Sequence, residues 1–303
     1  MAAAPAAIAH VKPLVRYVGA YPTAPLEEAS AGPWEVNVTV YLAPSQAGAA
    51  GSGGSVRIAA EWAPGAPVTV PFTLPSPPPA GGEVPVAALL RVPAGAVELW
   101  WPTGLLPPGR PLNRLYALNV TLLDGRGAPV AAASRRVAFR AFALVTADDS
   151  DPPALAGRGG SGNLTLRWRV NGANVFARGA NWIPLEGLES RNDGGSQRAA
   201  VASAVAANMN ALRVWGGGVW PPPALLDAAD ELGVMLYVDA MFASQADSHH
   251  FATPGPEVER ELRHNVRNIA AHPSLVVLDA CNECSGGSFT RGPRLCIQQH
   301  PFE

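Results

Sequence analysis

The hydrophobic pattern of the chain changes its period near residue 164, and this change limits the folds that are open to it. Before that point, short segments alternate apolar and polar residues, as in WEVNVTVYL at residues 34–42. Strict alternation predicts strands with one buried face. The pattern recurs at residues 55–62, 67–74, 96–101 and 115–123, between turns rich in Pro and Gly. The first half is therefore predicted to be an antiparallel β-sandwich.

From residue 164 onwards, apolar strands alternate with segments of helical period. A hairpin comes first, at residues 164–176, with Asn171–Gly172 as its predicted turn. Four apolar strands are predicted at residues 175–183, 210–218, 234–242 and 274–283. Helical patterns lie between them, at 196–209, from Pro223 to Gly233, and from Pro256 to His272. Strands that alternate with helices predict βα units and a parallel sheet.

Four βα strands fit either a doubly wound sheet or an eight-stranded barrel. A doubly wound nucleotide-binding fold carries a Gly-rich phosphate loop after its first strand, and none follows here. Polar or aromatic residues instead end every predicted strand, at the edge where barrel enzymes build their active sites. They are Asn181, Trp182, Arg213, Trp215, Asp239, Asn282 and Glu283. The sequence thus favours the N-terminal half of a (β/α)8 TIM barrel.

Glu283 ends the strand SLVVLDACNE and is the first catalytic candidate. A carboxyl group enclosed by apolar strands and aromatic rings would have a raised pKa and could act as a general acid. The alternative is a surface glutamate, or the ion-pair partner of an arginine. Asn282 favours the catalytic interpretation, because an amide beside the acid can hold a substrate hydroxyl.

The segment LRVWGGGVW, at residues 212–220, is the second candidate. Arg213 supplies a planar cation, Trp215 an aromatic face, and the three glycines a backbone that can approach a ligand closely. These groups suit a sugar ring, with a structural turn around a core tryptophan as the equal alternative. Asp239, on the next strand, is predicted either to contact a ligand or to pair with Arg213.

Composition and cysteine spacing bound the remaining functions. The net charge of −2 gives no electrostatic reason to expect nucleic acid or an anionic membrane as a partner. No apolar run reaches the ~18 residues of a membrane span, and the first residues lack the features of a signal peptide.

Cys281, Cys284, Cys296 and His300 have a spacing that admits a zinc site. Cys281 is predicted at the end of a strand and not in a zinc knuckle, which disfavours a zinc site.

Six motifs follow one another within residues 97–284. They are WWPTG, RLYALNV, VNGANVFARGANWIP, ANMNALRVWGGG, DELGVMLYVDAMFAS and HPSLVVLDACNE. Their order resembles that of the β-mannosidases of glycoside hydrolase family 2. ANWIP combined with RVWGGG points to β-mannosidases more than to β-galactosidases or β-glucuronidases. The plant-type endo-β-mannosidases and other family 2 glycosidases remain alternatives.

The resemblance also implies an order of domains along the chain. Residues 1–30 would be the remnant of an upstream sugar-binding jelly-roll domain and a linker. An immunoglobulin-like β-sandwich is expected at 31–146, a linker at 147–163 and a partial TIM-barrel catalytic domain at 164–303.

The resemblance also implies roles for the strand-end residues. Glu283 would be the acid/base, and Asn282 would contact the sugar 2-hydroxyl. The subsite for the terminal mannose would be lined by Arg213, Trp215 and Asp239, with Trp182 nearby. The chain departs from the family pattern at Pro221, where an acidic residue is usual, at Ala280–Cys281, and at Tyr237–Val238, where Trp-Gln is common.

The implied function is that of a retaining exo-β-mannosidase, which removes terminal β-D-mannose from a β-mannoside oligosaccharide or glycan without a cofactor. The full-length enzyme would be lysosomal, vacuolar or secreted. Retaining hydrolysis needs two carboxylates ~5–5.5 Å apart. The second is expected from a late barrel strand beyond Glu303, so this chain alone is expected to be inactive. A non-catalytic carbohydrate-binding remnant and a zinc-binding protein are the alternatives from other classes.

Overall fold

The structure, a computed structural model, forms two compact units that are each assembled from separate stretches of chain. It describes residues 6–45, 51–77, 82–145, 167–243 and 255–283. Unit 1 comprises residues 1–19, 29–98 and 115–139, and unit 2 comprises residues 20–28, 99–114 and 140–303. Single 3-10 turns lie at Glu28–Ser30 and Glu189–Arg191. No helix within the described ranges is long and apolar enough to cross a membrane.

Unit 1 consists of two antiparallel sheets. Its strands are β1 (Ala6–Tyr17), β2 (Trp34–Pro44), β3 (Gly53–Ala60), β4 (Ala63–Thr73), β5 (Val84–Val92), β6 (Tyr116–Asp124) and β7 (Pro129–Val137). One sheet has the order β1-β2-β5 and the other the order β4-β3-β6-β7. The alternation seen in the sequence is confirmed by burial, since Trp34, Val36, Val38, Val40 and Leu42 of β2 are all fully buried.

An aromatic cluster fills the core of unit 1. The ring of Phe139 lies 5.3 Å from that of Trp62 and 5.7 Å from those of Trp34 and Tyr116, in edge-to-face contacts. Such contacts stabilise beyond the burial of apolar area, because the positive ring edge meets the negative ring face. The contacts hold residues from β2, β6 and two connecting segments together.

Two predicted elements of the first half differ in the structure. Residues 6–17 form β1, which pairs with β2 along its whole length, whereas the sequence grouped residues 1–30 with an upstream domain. A register shift between Ile8 and His10 breaks the period of two that would have marked the strand. Residues 96–101, predicted as a strand, contain bends at 96–97 and a single bridge position at Leu99.

Side chains replace the missing strand ladder at residues 96–101. The Leu99 amide donates to Glu28 Oε1 at 3.0 Å. The Trp101 amide donates to Asn113 Oδ1, and Asn113 Nδ2 donates back to the Trp101 carbonyl, both at 2.8 Å. Because side chains of Glu28 and Asn113 satisfy these backbone groups, the apolar run needs no neighbouring strand.

Unit 2 begins with a small antiparallel sheet of β8 (Phe142–Val145), β9 (Arg167–Val170) and β10 (Ala173–Val175). The predicted hairpin is confirmed: Asn171 and Gly172 join β9 to β10 with φ values of 49° and 81°. Two positive φ values in succession define the tight turn that Asn-Gly favours. The segment predicted as a linker, 147–163, lies outside the described residues.

Within residues 179–243 and 255–283, unit 2 contains a parallel sheet and three helices. Its strands are β11 (Gly179–Trp182), β12 (Ala211–Val214), β13 (Met235–Asp239) and β14 (Leu275–Asp279), in that spatial order. The helices are α1 (Gly194–Ala206), α2 (Pro223–Leu232) and α3 (Pro256–Ile269). The predicted βα units are confirmed, and all three strand pairs are parallel.

All three helices contribute to one apolar cluster on one face of this sheet. The cluster joins Val214, Val238 and Leu278 of the strands to residues of each helix. The helical members are Val201 of α1, Leu225, Leu226, Ala228 and Ala229 of α2, and Ile269 of α3. The opposite face of the same strands carries polar side chains, which are described below.

Residues 100–113 close the C-terminal end of α2. Trp100 Nε1 donates to the Asp230 carbonyl at 2.7 Å, the Asn113 amide to the Glu231 carbonyl at 3.0 Å, and the Thr103 amide to the Gly233 carbonyl at 2.7 Å. The last carbonyls of a helix have no partner within the helix. A distant stretch of chain supplies the missing donors here.

Candidate functional site

A polar network centred on Arg213 occupies the carboxyl ends of the parallel strands. Arg213 donates to both carboxylate oxygens of Asp239, through Nε at 3.2 Å and Nη2 at 2.7 Å. Nη2 also donates to Asn282 Oδ1 at 2.8 Å, and Nη1 to Asn181 Oδ1 at 3.4 Å. One guanidinium therefore joins the ends of all four strands, as the planar fork of arginine allows.

The register of the strands shows which residues share a face of the sheet. Arg213 pairs with Asn181 of β11 and with Tyr237 of β13, so these three side chains lie on one face. Val214 pairs with Trp182 and with Val238, and these three lie on the other face, against the helices. The structure therefore brings Arg213 together with Asp239 and Asn282, and it places Trp182 on the opposite side.

Asp239 is the buried anchor of the network. Its side chain is fully buried, and its Oδ2 accepts the Gly216 amide at 3.0 Å in addition to Arg213. Burial raises the pKa of Asp239, while the Gly216 amide and the Arg213 guanidinium favour the charged form. Of the two predicted roles of Asp239, the pairing with Arg213 is present in the structure.

Tyr237 and Asp279 extend the network and were not among the predicted site residues. The Tyr237 hydroxyl donates to Asp279 Oδ2, and the Arg213 guanidinium carbon lies 5.6 Å from the centre of the Tyr237 ring. Burial, the hydrogen bond to Asp279 and the neighbouring carboxylates raise the pKa of Tyr237. The spacing of Tyr237 and Asp239, two residues apart on one strand, was the available sequence signal.

Asn282 and Glu283 follow β14 directly. Asn282 is buried. Its backbone amide donates to the Phe242 carbonyl at 2.9 Å, which fixes Asn282 beside the end of β13. Glu283 has a left-handed backbone with a φ of 52° and is exposed. Among the described residues, no apolar or aromatic groups enclose Glu283 as the sequence predicted, since its side chain is exposed.

Two of the three glycines after Trp215 lie where an added Cβ atom would collide with neighbouring atoms. A Cβ atom at Gly216 would lie 2.6 Å from the Ala240 and Phe242 carbonyl oxygens, and one at Gly217 would lie 2.1 Å from the Trp215 ring. Any side chain here would collide with its surroundings. The turn holds the Trp215 ring against a cavity that Trp182 and Val214 also line.

The residues of the predicted zinc site lie mostly outside the described part of the chain. Cys284, Cys296 and His300 lie outside the described residues, and Cys281 is disulfide-bonded. A disulfide sulfur is not a zinc thiolate, which weighs against the zinc site. Elsewhere in unit 2, Asp227, Asp230 and His272 lie close enough to be considered as metal ligands. Both oxygens of Asp230 already have partners, since His272 Nδ1 lies 2.7 Å from Oδ2 and the Ser274 backbone amide donates to Oδ1 at 3.1 Å.

Comparison with solved structures defines the class of fold. A β-D-mannosidase from Dictyoglomus thermophilum matches 90% of this chain with a TM-score of 0.65 at 24% identity. A GH2 β-galacturonidase from Eisenbergiella tayi matches 94% with a TM-score of 0.62 at 16% identity. The chain covers 29% and 43% of those structures, respectively. No protein-family model matches the sequence. The fold is that of a segment of glycoside hydrolase family 2 enzymes.

Comparison with curated proteins is more specific. The chain is 34% identical to the β-mannosidase of Mus musculus over 191 residues and 34% identical to that of Capra hircus over 207 residues. It is 31% identical to β-mannosidase B of Aspergillus terreus over 186 residues. These matches cover 61–67% of this chain and 20–21% of each relative. Over the aligned residues the chain is similar to the β-mannosidases, which confirms the resemblance seen in the sequence, and it spans about a fifth of their length.

Proposed function

We propose that this chain forms part of a retaining exo-β-mannosidase in which Glu283 is the acid/base. The Arg213 network would hold the terminal mannose, with Asn282 contacting the 2-hydroxyl. The observation that carries the proposal is that Arg213 binds Asp239 and Asn282 together, next to Glu283, in a homologue of β-mannosidases. A fixed polar cluster beside an exposed carboxyl group is suited to binding a sugar and donating a proton to its leaving oxygen.

The barrel is the architecture that we propose for unit 2. In a doubly wound sheet the helices cover both faces, whereas in a barrel they cover the outer face and leave the inner face to the site. The sequential strand order and the single apolar cluster that all three helices share support the barrel. Residues 164–303 would then be the first half of the catalytic barrel, and 31–146 an immunoglobulin-like sandwich.

The second carboxylate of the retaining mechanism is not supplied by the strand ends described here. Both oxygens of Asp239 accept hydrogen bonds from Arg213, and Asp279 accepts from the Tyr237 hydroxyl and the Ala280 amide. A nucleophile needs an oxygen that can reach the anomeric carbon. We therefore assign the nucleophile to a residue outside the described part of the chain.

The test is hydrolysis of an aryl β-D-mannoside by the protein that carries these residues. We expect Glu283→Gln to lower the rate by about 10²–10⁴-fold with a poor leaving group, because the proton donor is lost. The loss should be smaller with 2,4-dinitrophenyl β-D-mannoside, whose leaving group needs no protonation. Glu257→Gln, on the exposed face of α3, is the matched control and should retain full activity. Full activity of Glu283→Gln would refute the assignment.

Sugar binding without hydrolysis is the second candidate, and the exposure of Glu283 favours it. General acid catalysis requires the carboxyl group to be positioned at the leaving oxygen, and an exposed side chain is not positioned by its surroundings. Calorimetric titration with mannobiose distinguishes the two functions. Binding that Asp239→Asn abolishes, in a protein that hydrolyses no β-mannoside, would establish the binding module.

A further inference from the structure

Two carboxylates lie side by side at the ends of β13 and β14, on the face of the sheet that carries Arg213. Asp239 and Asp279 are paired directly across the two parallel strands, so their side chains share one face. Two negative charges at such a short separation repel each other. Of the described residues that contact either aspartate, only Arg213 is a cation. One guanidinium is therefore available to two carboxylates.

Arg213 reaches the segment that carries Asp279. Its Nη2 donates at 2.8 Å to Oδ1 of Asn282, which follows Asp279 on the same stretch of chain. Its hydrogen bonds to carboxylate oxygens nevertheless all go to Asp239, through Nε at 3.2 Å and Nη2 at 2.7 Å. The choice of Asp239 over Asp279 therefore needs a cause other than reach.

Tyr237 contacts both Asp279 and Arg213. Its hydroxyl donates to Asp279 Oδ2, and the Ala280 amide donates to Oδ1 at 2.7 Å, so each oxygen of Asp279 has a donor. Burial and the hydrogen bond to Asp279 raise the pKa of Tyr237, so the hydroxyl keeps its proton and remains a donor. The guanidinium carbon of Arg213 lies 5.6 Å from the centre of the Tyr237 ring, within the range of a cation–π contact. One side chain thus satisfies Asp279 and supports Arg213.

We propose that Tyr237 is a positioning residue that selects the partner of Arg213. Its hydroxyl satisfies Asp279 and so removes that carboxylate as a competitor, which leaves the guanidinium on Asp239 and Asn282. Without the hydroxyl, Asp279 keeps its charge and loses a donor, and it draws Arg213 away from Asn282. The consequence for sugar binding rests on the function proposed above, whereas the position of Arg213 does not.

The substitution Tyr237→Phe tests the proposal in the full chain, because it keeps the ring and removes the hydroxyl. A crystal structure of the variant, with NMR of the arginine Nε–H groups, shows the partners of Arg213 directly. We expect Tyr237→Phe to lose the bond from Arg213 to Asn282. The double variant Tyr237→Phe/Asp279→Asn should regain it, since the competing charge is gone. An unmoved Arg213 in Tyr237→Phe, or a double variant in which Arg213 stays displaced, would overturn the proposal.

A matched control separates positioning from a general loss of stability. The Tyr116 hydroxyl of unit 1 accepts the Glu98 amide at 2.8 Å, so Tyr116→Phe also removes a hydrogen-bonded phenol hydroxyl. It should lower the melting temperature without moving Arg213. If Tyr237→Phe changes only the melting temperature, as Tyr116→Phe does, the role of the Tyr237 hydroxyl is structural and the proposal is wrong.

Calorimetric titration with methyl β-D-mannoside measures the consequence for the sugar. Tyr237→Phe should weaken binding about 10–100-fold, the effect of one hydrogen bond to a charged group, and the double variant should recover most of that loss. A displaced Arg213 with unchanged mannoside binding would support the positioning role of Tyr237 and contradict the function proposed for the Arg213 network. The two proposals can therefore fail separately.

Discussion

Asn171 shows how much one side chain can organise. It is fully buried at the hairpin turn, its Oδ1 accepts the Ala141 amide, and its Nδ2 donates to the Trp100 carbonyl, both at 2.8 Å. Its backbone carbonyl accepts the Leu26 amide at 2.8 Å, and its backbone amide donates to the Ala141 carbonyl at 2.7 Å. Three separate stretches of unit 2 therefore meet at this residue.

We predict that Asn171→Ala lowers the free energy of unfolding by about 3–5 kcal/mol, because two buried backbone groups lose their partners. Asn208→Ala is the matched control, since Asn208 also has a left-handed φ, of 64°, but its side chain is exposed. It should lose only about 1 kcal/mol, from backbone strain. Urea unfolding followed by circular dichroism measures both variants. Equal losses would show that strain, and not hydrogen bonding, is the role of Asn171.

The sequence predicts the hairpin turn at Asn171 but not its partners. Asn-Gly marks a tight turn locally, whereas Ala141, Trp100 and Leu26 are between 30 and 145 residues away. The candidate functional site was likewise predicted from the sequence only in part. The strand ends identified Arg213, Asp239 and Asn282, but the Tyr237 contact depends on strand register and the exposure of Glu283 on its backbone conformation. Neither can be read from spacing alone.

At the level of elements, the C-terminal end of α2 is the junction of unit 2. Gly233 has a φ of 76° and ends the helix, and its carbonyl accepts the Thr103 amide. A Cβ atom there would lie 2.6 Å from the Trp101 carbonyl oxygen and 2.7 Å from the Thr103 nitrogen. Glycine is therefore required twice, for the left-handed conformation and for the close approach of residues 101–103. The sequence predicted that the helix ends at Gly233, but not the close approach of residues 101–103.

We predict that Gly233→Ala lowers the free energy of unfolding by about 3 kcal/mol or more, from strain and collision together. Gly109→Ala is the control, because Gly109 has a φ of 81° with open space around the position of a Cβ. It should lose about 1–2 kcal/mol, from strain alone. Chemical unfolding of the two variants supplies the comparison. If the two losses are the same, residues 101–103 move aside without cost.

At the level of the whole molecule, unit 2 depends on ion pairing between distant stretches of chain. Glu28 and Arg110 form a paired contact, with both carboxylate oxygens 2.8 Å from the guanidinium nitrogens, and the Leu99 amide joins them. Burial opposes ionisation of Glu28, but Arg110 and the Leu99 amide hold its pKa below the ordinary value. The pair ties residues 20–28 to residues 99–114.

A pH dependence follows from this lowered pKa. Since the folded state binds the proton of Glu28 less readily than the unfolded state, its stabilising effect is complete above the ordinary glutamate pKa of about 4.3. It is lost as the pH falls through the lower, folded-state value. We expect the protection factor of the Leu99 amide in hydrogen exchange to fall over that acidic range.

Two variants separate the effect of Glu28 from general acid unfolding. Glu28→Gln should give low Leu99 protection at every pH, because the carboxylate is absent throughout. Glu186→Gln, a surface substitution in the same unit, should reproduce the wild-type profile. A wild-type profile in Glu28→Gln would contradict the role assigned to the ion pair.

The bond from Trp100 to the Asp230 carbonyl also has a consequence for synthesis. It joins residues 130 positions apart. At about 5–20 residues per second, a ribosome needs about 7–26 s to proceed from one partner to the other. All residues of unit 1 have been made by residue 139, whereas Trp100 must wait for α2 with its indole unpaired. During synthesis the Trp100 indole therefore lacks its native hydrogen-bond partner for seconds, until α2 has been made.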